Sequence, residues 1–119
     1  MSSTPLTGQD CLFCRIVAGE LPAEVVASTD RVIAFRDISP QAPLHVLVAP
    51  RDHHADVAQL AAADPALLAD VVRLCHEVAE DEADGQFRLI FNTGAHAGQS
   101  VFHVHAHVLG GARLGWTPA

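Results

Sequence analysis

The stretch "VFHVHAHVLG", residues 101–110, constrains the fold more than any other part of the chain. Side chains two apart on a β-strand share a face, roughly 7 Å apart along it. His103, His105 and His107 therefore line one side of a strand while Val104, Ala106 and Val108 turn inward. Such a strand needs a sheet with one face covered by other elements and the other face free to carry the imidazoles.

The remaining elements follow from pattern and punctuation. Asp10 is placed to cap a short helix "CLFCRIVA", in which Leu12, Phe13 and Ile16 share a face, and Gly19 supplies the stop. "EVVAST" and "RVIAFRD" are β-branched runs around a Thr29-Asp30 turn, which predicts a hairpin. "ISPQAP" is a loop, and "LHVLVAP" is a third strand. Asp64-Pro65 reads as a cap followed by proline at the first helical position, opening a helix to about Asp84 with Leu67, Val71, Leu74, Cys75 and Val78 on one face. "FRLIFN" is a fourth strand, "TGAHAGQS" a loop, and the histidine run the fifth strand. Hairpin-length connections with one long helix inserted between the third and fourth strands predict an α+β fold: a five-stranded antiparallel sheet with one long and one short helix.

Length and composition set the outer limits. A chain of 119 residues, half of them hydrophobic, forms one domain with a single core. Its net charge of -7, with no lysine at all, argues against binding nucleic acid or anionic membranes through bulk charge, although a few placed groups still suffice for a nucleotide-sized ligand. The start, "MSSTPLTGQD", lacks the basic and apolar regions of a signal peptide, and no apolar run is long enough to span a membrane. A cytoplasmic protein is expected. Three cysteines without a secretion signal fit reduced thiols or a metal better than a disulfide framework.

A lone histidine on a strand is commonly a tolerated surface or core residue, but three in register are harder to dismiss. Preceded by "AGQSVF" and followed by "VLGG", the run resembles the signature of the histidine triad (HIT) family. The resemblance extends over nearly the whole chain. "CLFCRIVAGELPAEVV", "AFRDISPQAPLHVLVAPRDH" and "FNTGAHAGQSVFHVHAHVLGG" each look like the matching segments of its Hint branch, the purine nucleoside phosphoramidases, and of the bacterial type that carries CxxC. The implied unit is a single HIT domain over residues 1–119, with 1–9 and 113–119 as flexible or partner-contacting tails. The implied assembly is a homodimer whose two sheets join into one.

A neutral imidazole is a good nucleophile towards phosphorus, and a hydrogen bond from its other ring nitrogen fixes the tautomer. His105, in the middle of the row, is the best-placed nucleophile. By resemblance it attacks the α-phosphorus of a purine nucleoside 5′-phosphoramidate and passes through a nucleotidyl-histidine. His107 and Asn92 are placed to hold the non-bridging oxygens, where charge builds in the transition state. Gly98 lets the backbone approach a ligand, and the amides near Gln99 to Val101 can form a small phosphate nest; by itself this loop would be an ordinary turn. The resemblance makes Ser100 the proton donor to the leaving group and His45 a fourth histidine that supports the triad. It also places a base among Leu12, Phe13, Ile16, Phe35 and Ile38, with Asp37 on the ribose hydroxyls. Without the resemblance the five apolar residues read as plain core; Asp37 is the sharper candidate, with a turn former as its alternative reading. Trp116 corresponds to a C-terminal tryptophan that reaches the partner's site, although Thr117-Pro118 departs from the two prolines of animal relatives.

Cys11 and Cys14 stand one helical turn apart, and two buried free cysteines are their default reading. The resemblance implies a structural zinc held by Cys11, Cys14, His53 and His103, with His54 as the substitute for His53. Cys75, His76 and His96 read as core, helix surface and loop. Two other functions remain open at this level. One is dinucleoside polyphosphate hydrolysis, disfavoured by the glycines of "HVLGG"; the other is a non-catalytic nucleotide- or zinc-binding partner protein.

Overall fold

In a computed structural model, residues 11–116 are described. The element order is α1 (Leu12–Val17), β1 (Val25–Ser28), β2 (Val32–Arg36), β3 (Leu44–Pro50), α2 (Val57–Ala63), α3 (Pro65–Ala83), β4 (Phe87–Phe91), a 3-10 turn (Ala95–Ala97) and β5 (Ala106–Gly110). The strands form one sheet in the order β1-β2-β3-β5-β4, and every pairing is antiparallel. The expected α+β architecture is the one observed.

Alternation along the strands sorts the two faces. Val32 and Ala34 of β2, Leu44, Val46 and Val48 of β3, and Ala106 and Val108 of β5 pack against Leu67, Val71, Leu74 and Val78 of α3, which makes the main core. The residues between them face the other way, where Ile33, Phe35 and Leu47 meet Cys11 and Phe13 beneath α1 in a second, smaller cluster. His45 and His107 share this second face.

Asp64 ends one helix and starts the next. Its amide donates to the Leu60 carbonyl of α2, and its side chain accepts from the Leu67 amide at 3.0 Å. The helix α2 is a third helix beyond the expected pair, capped by Asp56 accepting from Gln59 N at 2.9 Å. Its seven residues sit directly before a stronger start signal, the Asp64-Pro65 pair, which masks them in the sequence. Asp10, the expected cap of α1, lies outside the described residues; Cys11 fills that position, its sulfur accepting from the Cys14 amide. Among the acids at the end of α3, Glu82 receives both terminal nitrogens of Arg36, at 2.8 and 3.0 Å, and so ties the helix to β2.

The last strand is shorter than the alternation implies: β5 begins at Ala106, and 101–105 is irregular. Continuing the β3 register would set Pro50, which has no N–H, opposite Val104. Val104 instead donates to the His54 carbonyl at 2.7 Å, and the Pro50 carbonyl lies 2.7 Å from His103 Nε2. Val104, Ala106 and Val108 still turn to the main core, as the period-two pattern requires.

Candidate active site

Hydrogen-bond partners assign the protons on the histidines. His105 Nδ1 lies 2.8 Å from the His103 carbonyl, which can only accept, so Nδ1 carries the proton and Nε2 keeps its lone pair. His45 Nδ1 accepts from the Gln41 amide at 2.9 Å, so its proton is on Nε2. That Nε2–H points at His107 Nδ1, 3.0 Å away, which leaves the His107 proton on Nε2. A lone pair on His105 and a donor on His107 thus stand on adjacent rings whose centroids are 5.2 Å apart. Burial lowers the pKa of His105 and pushes that of His107 down to about 4, so both are neutral at pH 7.

Both rings border a cavity of about 550 Å³ between α1, the β2–β3 loop and the 92–101 loop. Leu12, Phe13, Ile16 and Phe35 form its apolar wall, with Phe13 edge-on to Phe35 at 5.3 Å and to His105 at 4.9 Å. Ile38 forms an exposed lip, and Asp37 lies between the lip and the histidines. Asp37 Oδ1 accepts from the Ser39 amide at 2.7 Å, and Oδ2 lies 3.4 Å from His45 Nε2.

On the opposite wall, Asn92, Gly98, Ser100 and Val101 face the cavity. Gly98 has φ +91°, a left-handed conformation that favours glycine, and Asn92 Nδ2 donates to the Ala97 carbonyl beside it at 2.9 Å. Gln99 departs from expectation. Its side chain is buried away from the cavity, accepting from Gly94 N and donating to the carbonyls of Ala55 and Val101, while its own amide donates to Gly94 O. The turn consumes this amide in its own bonding, so Gln99 is a strut for the loop, and the amides of Ser100 and Val101 are those left for a ligand. Trp116 is 93% exposed and stands away from the cavity of its own chain. In the segment before it, the Gly115 carbonyl accepts from Arg88 at 2.6 Å.

Behind the row, Cys11, Cys14, His53 and His103 bring one donor atom each to within 4.8 Å of one another. His103 Nδ1 is 3.4 Å from both sulfurs, and His53 Nδ1 is 3.4 Å from Cys14 Sγ. Usual zinc bond lengths in a tetrahedron set sulfur and nitrogen about 3.5 Å apart, so the spacing fits such an ion. Proton placement agrees. His103 Nε2–H donates to Pro50 O, which aims the Nδ1 lone pair at the thiols, the outer-shell arrangement typical of metal-bound histidine. His53 turns Nδ1 towards Cys14 Sγ, and its Nε2, on the far side of the ring, is the one buried side-chain N or O atom without a hydrogen-bond partner among the described residues. His54 is outside the cluster.

The HIT domain profile matches residues 18–114. The chain belongs to the HIT family. It is 40% identical to the purine nucleoside phosphoramidase of Escherichia coli over 109 residues, covering 90% of this chain and 92% of that one. An uncharacterized HIT-like protein of Synechocystis is 42% identical over 92% of this chain and 97% of its own. Among solved structures, the HIT family hydrolase of Clostridium thermocellum superimposes with a TM-score of 0.87 at 42% identity, covering 93% and 98% of the two chains. The HIT family hydrolase of Legionella pneumophila gives 0.86 at 41%, covering 92% and 99%.

Within this HIT domain the cavity also has walls that sequence reasoning did not name, among them Pro22, Ala23 and Leu47. Leu47 had a legible signal, being two residues from His45 on one strand face. Pro22 and Ala23 lie in an irregular segment with no periodicity to read. Residues 1–9 and the Thr117-Pro118 pair lie outside the described residues.

Proposed function

We propose that this HIT hydrolase cleaves the P–N bond of purine nucleoside 5′-phosphoramidates. One observation carries the reading: the hydrogen-bond chain leaves a lone pair on His105 Nε2 and a proton on His107 Nε2, side by side in a cavity large enough for a nucleotide. The purine lies against Leu12, Phe13, Ile16 and Phe35, the ribose hydroxyls reach Asp37, and the phosphate meets Asn92, His107 and the Ser100 and Val101 amides. His105 Nε2 forms a bond to the α-phosphorus as the P–N bond breaks, and the amine takes the proton of the Ser100 hydroxyl, which the water of the second step replaces with the proton it loses. His107 donates to the oxygen where charge builds. Water then attacks the same phosphorus, releasing the nucleoside monophosphate and the free imidazole.

Cys11, Cys14, His53 and His103 would hold a structural zinc, which supplies cross-linking of α1 to the segments at 53 and 103. Among the described residues β4 pairs only with β5, and a second copy adding at this edge gives the homodimer that the exposed Trp116 also suits. The acidic surface disfavours nucleic acid as a partner.

The test is amine release from a fluorogenic adenosine 5′-phosphoramidate by the wild-type chain and by His105→Ala. Wild-type turnover with loss of about a thousandfold or more in the variant supports the reading. If AMP binds both proteins and neither releases amine, the site is a nucleotide-binding module.

A further inference from the structure

Asp37 and His45 are cross-strand neighbours. The Asp37 amide donates to the His45 carbonyl at 3.1 Å, continuing the β2–β3 ladder, and both side chains rise from the cavity face. Both are withdrawn from solvent, at 19% and 5% exposed. The proton on His45 Nε2 is hydrogen-bonded to His107 Nδ1 at 3.0 Å, and the Asp37 carboxylate stands beside the same nitrogen, Oδ2 3.4 Å away, as a charge contact. The neighbours of this proton are themselves fixed. Ser39 N–H holds Asp37 Oδ1, and Gln41 N–H holds His45 Nδ1.

We infer that Asp37, besides gripping the ribose, is a positioning residue for the reaction, holding the His45 imidazole in the orientation that keeps the His107 donor aimed at the phosphate. The inference rests on the phosphoramidase reading and adds a second role to a residue of the same site. Geometry supplies its sharpest consequence. In Asp37→Asn the Ser39 amide still demands an oxygen, so the new NH₂ group faces His45 Nε2–H, donor against donor. His45 cannot escape by moving its proton to Nδ1, because Gln41 N–H already points there. The ring turns away from that NH₂ group, and the His107 proton loses its support.

A substrate without ribose hydroxyls separates the two roles. On 2′,3′-dideoxyadenosine 5′-phosphoramidate the grip contributes nothing, so any dependence of kcat on Asp37 runs through the histidines. Asp37→Asn is expected to lower kcat on this substrate about tenfold or more, because the displaced His45 ring no longer aims the His107 donor, with a smaller change in KM. Asp37→Ala, which removes the carboxylate without introducing an opposing donor, is expected to fall less and guards against an Asn variant that does not fold. Nitrogen-15 spectra of the ligand-free proteins supply an independent readout: the ring nitrogens of His45 and His107 should shift in Asp37→Asn. Wild-type kcat in both variants, within about twofold, overturns the inference and leaves Asp37 a ribose ligand only. A fall in kcat with unchanged ring nitrogens also overturns it, because the route through His45 is then absent. No turnover of either the ribose or the dideoxy substrate by the wild-type chain defeats the phosphoramidase reading and takes this inference with it.

Discussion

Replacing Gln99 tests whether the loop facing the histidines is held from behind. The side chain is 4% exposed and makes three bonds: it accepts from Gly94 N at 2.9 Å and donates to Ala55 O at 2.7 Å and Val101 O at 3.1 Å. Methionine conserves length and volume but makes none of them. Each lost bond costs about 1 kcal/mol net, and the gain from burying a more apolar side chain offsets part of this, leaving about 2 kcal/mol. For a domain of this size that corresponds to roughly 8 °C in Tm, read by thermal unfolding followed by circular dichroism. Gln99→Glu should be worse than Gln99→Met. Its carboxylate keeps the Gly94 bond but sets a buried negative charge against the carbonyls of Ala55 and Val101. Because the loop carries Ser100 and Val101, kcat/KM for the phosphoramidate should fall in both variants while His105 is untouched. A Gln99→Met protein that melts within about 2 °C of wild type with unchanged kcat/KM would refute the strut argument.

Two further outcomes follow from the histidines and thiols. In metal-free protein, burial pushes His103 and His107 down to about 4, whereas the unfolded chain binds those protons near pH 6.5. Their contribution to stability is therefore complete above about pH 6.5 and is lost as pH falls towards 4; denaturation midpoints in chelator that stay flat across that window would contradict it. Reduced protein should bind one zinc per chain and gain in Tm, with affinity reduced by about a hundredfold or more in Cys14→Ser and in His53→Ala but unchanged in His54→Ala. Competition against a chromophoric chelator measures this, and equal affinities for His53→Ala and wild type would remove His53 from the ligand set.

Much of the molecule is dictated by short-range physics and is legible in one dimension. Period-two alternation fixes which of Ala106, His107 and Val108 face the core, because a strand has only two sides, and Val104 keeps the same phase just ahead of the strand. Asp64-Pro65 marks a helix start since the proline has no N–H to waste and the aspartate satisfies the Leu67 amide. Three histidines in register point to a row of functional imidazoles, while the zinc ligand set that includes Cys11 and Cys14 came from the resemblance to the HIT family.

Other features depend on what lies across a gap in sequence, and only the tertiary structure decides them. The fifth strand starts at Ala106 because Pro50, from β3, cannot continue the ladder opposite Val104. His53 enters the thiol cluster and His54 does not, because the His54 carbonyl is drawn to Val104 and the adjacent side chain is turned towards Cys14. Gln99 supports the loop from beneath since its acceptors, including Ala55, converge only after folding. The proton positions on His45, His105 and His107 are of the same kind. Each is set by a donor or acceptor that the fold places at the ring, and no imidazole carries that information in its own sequence position.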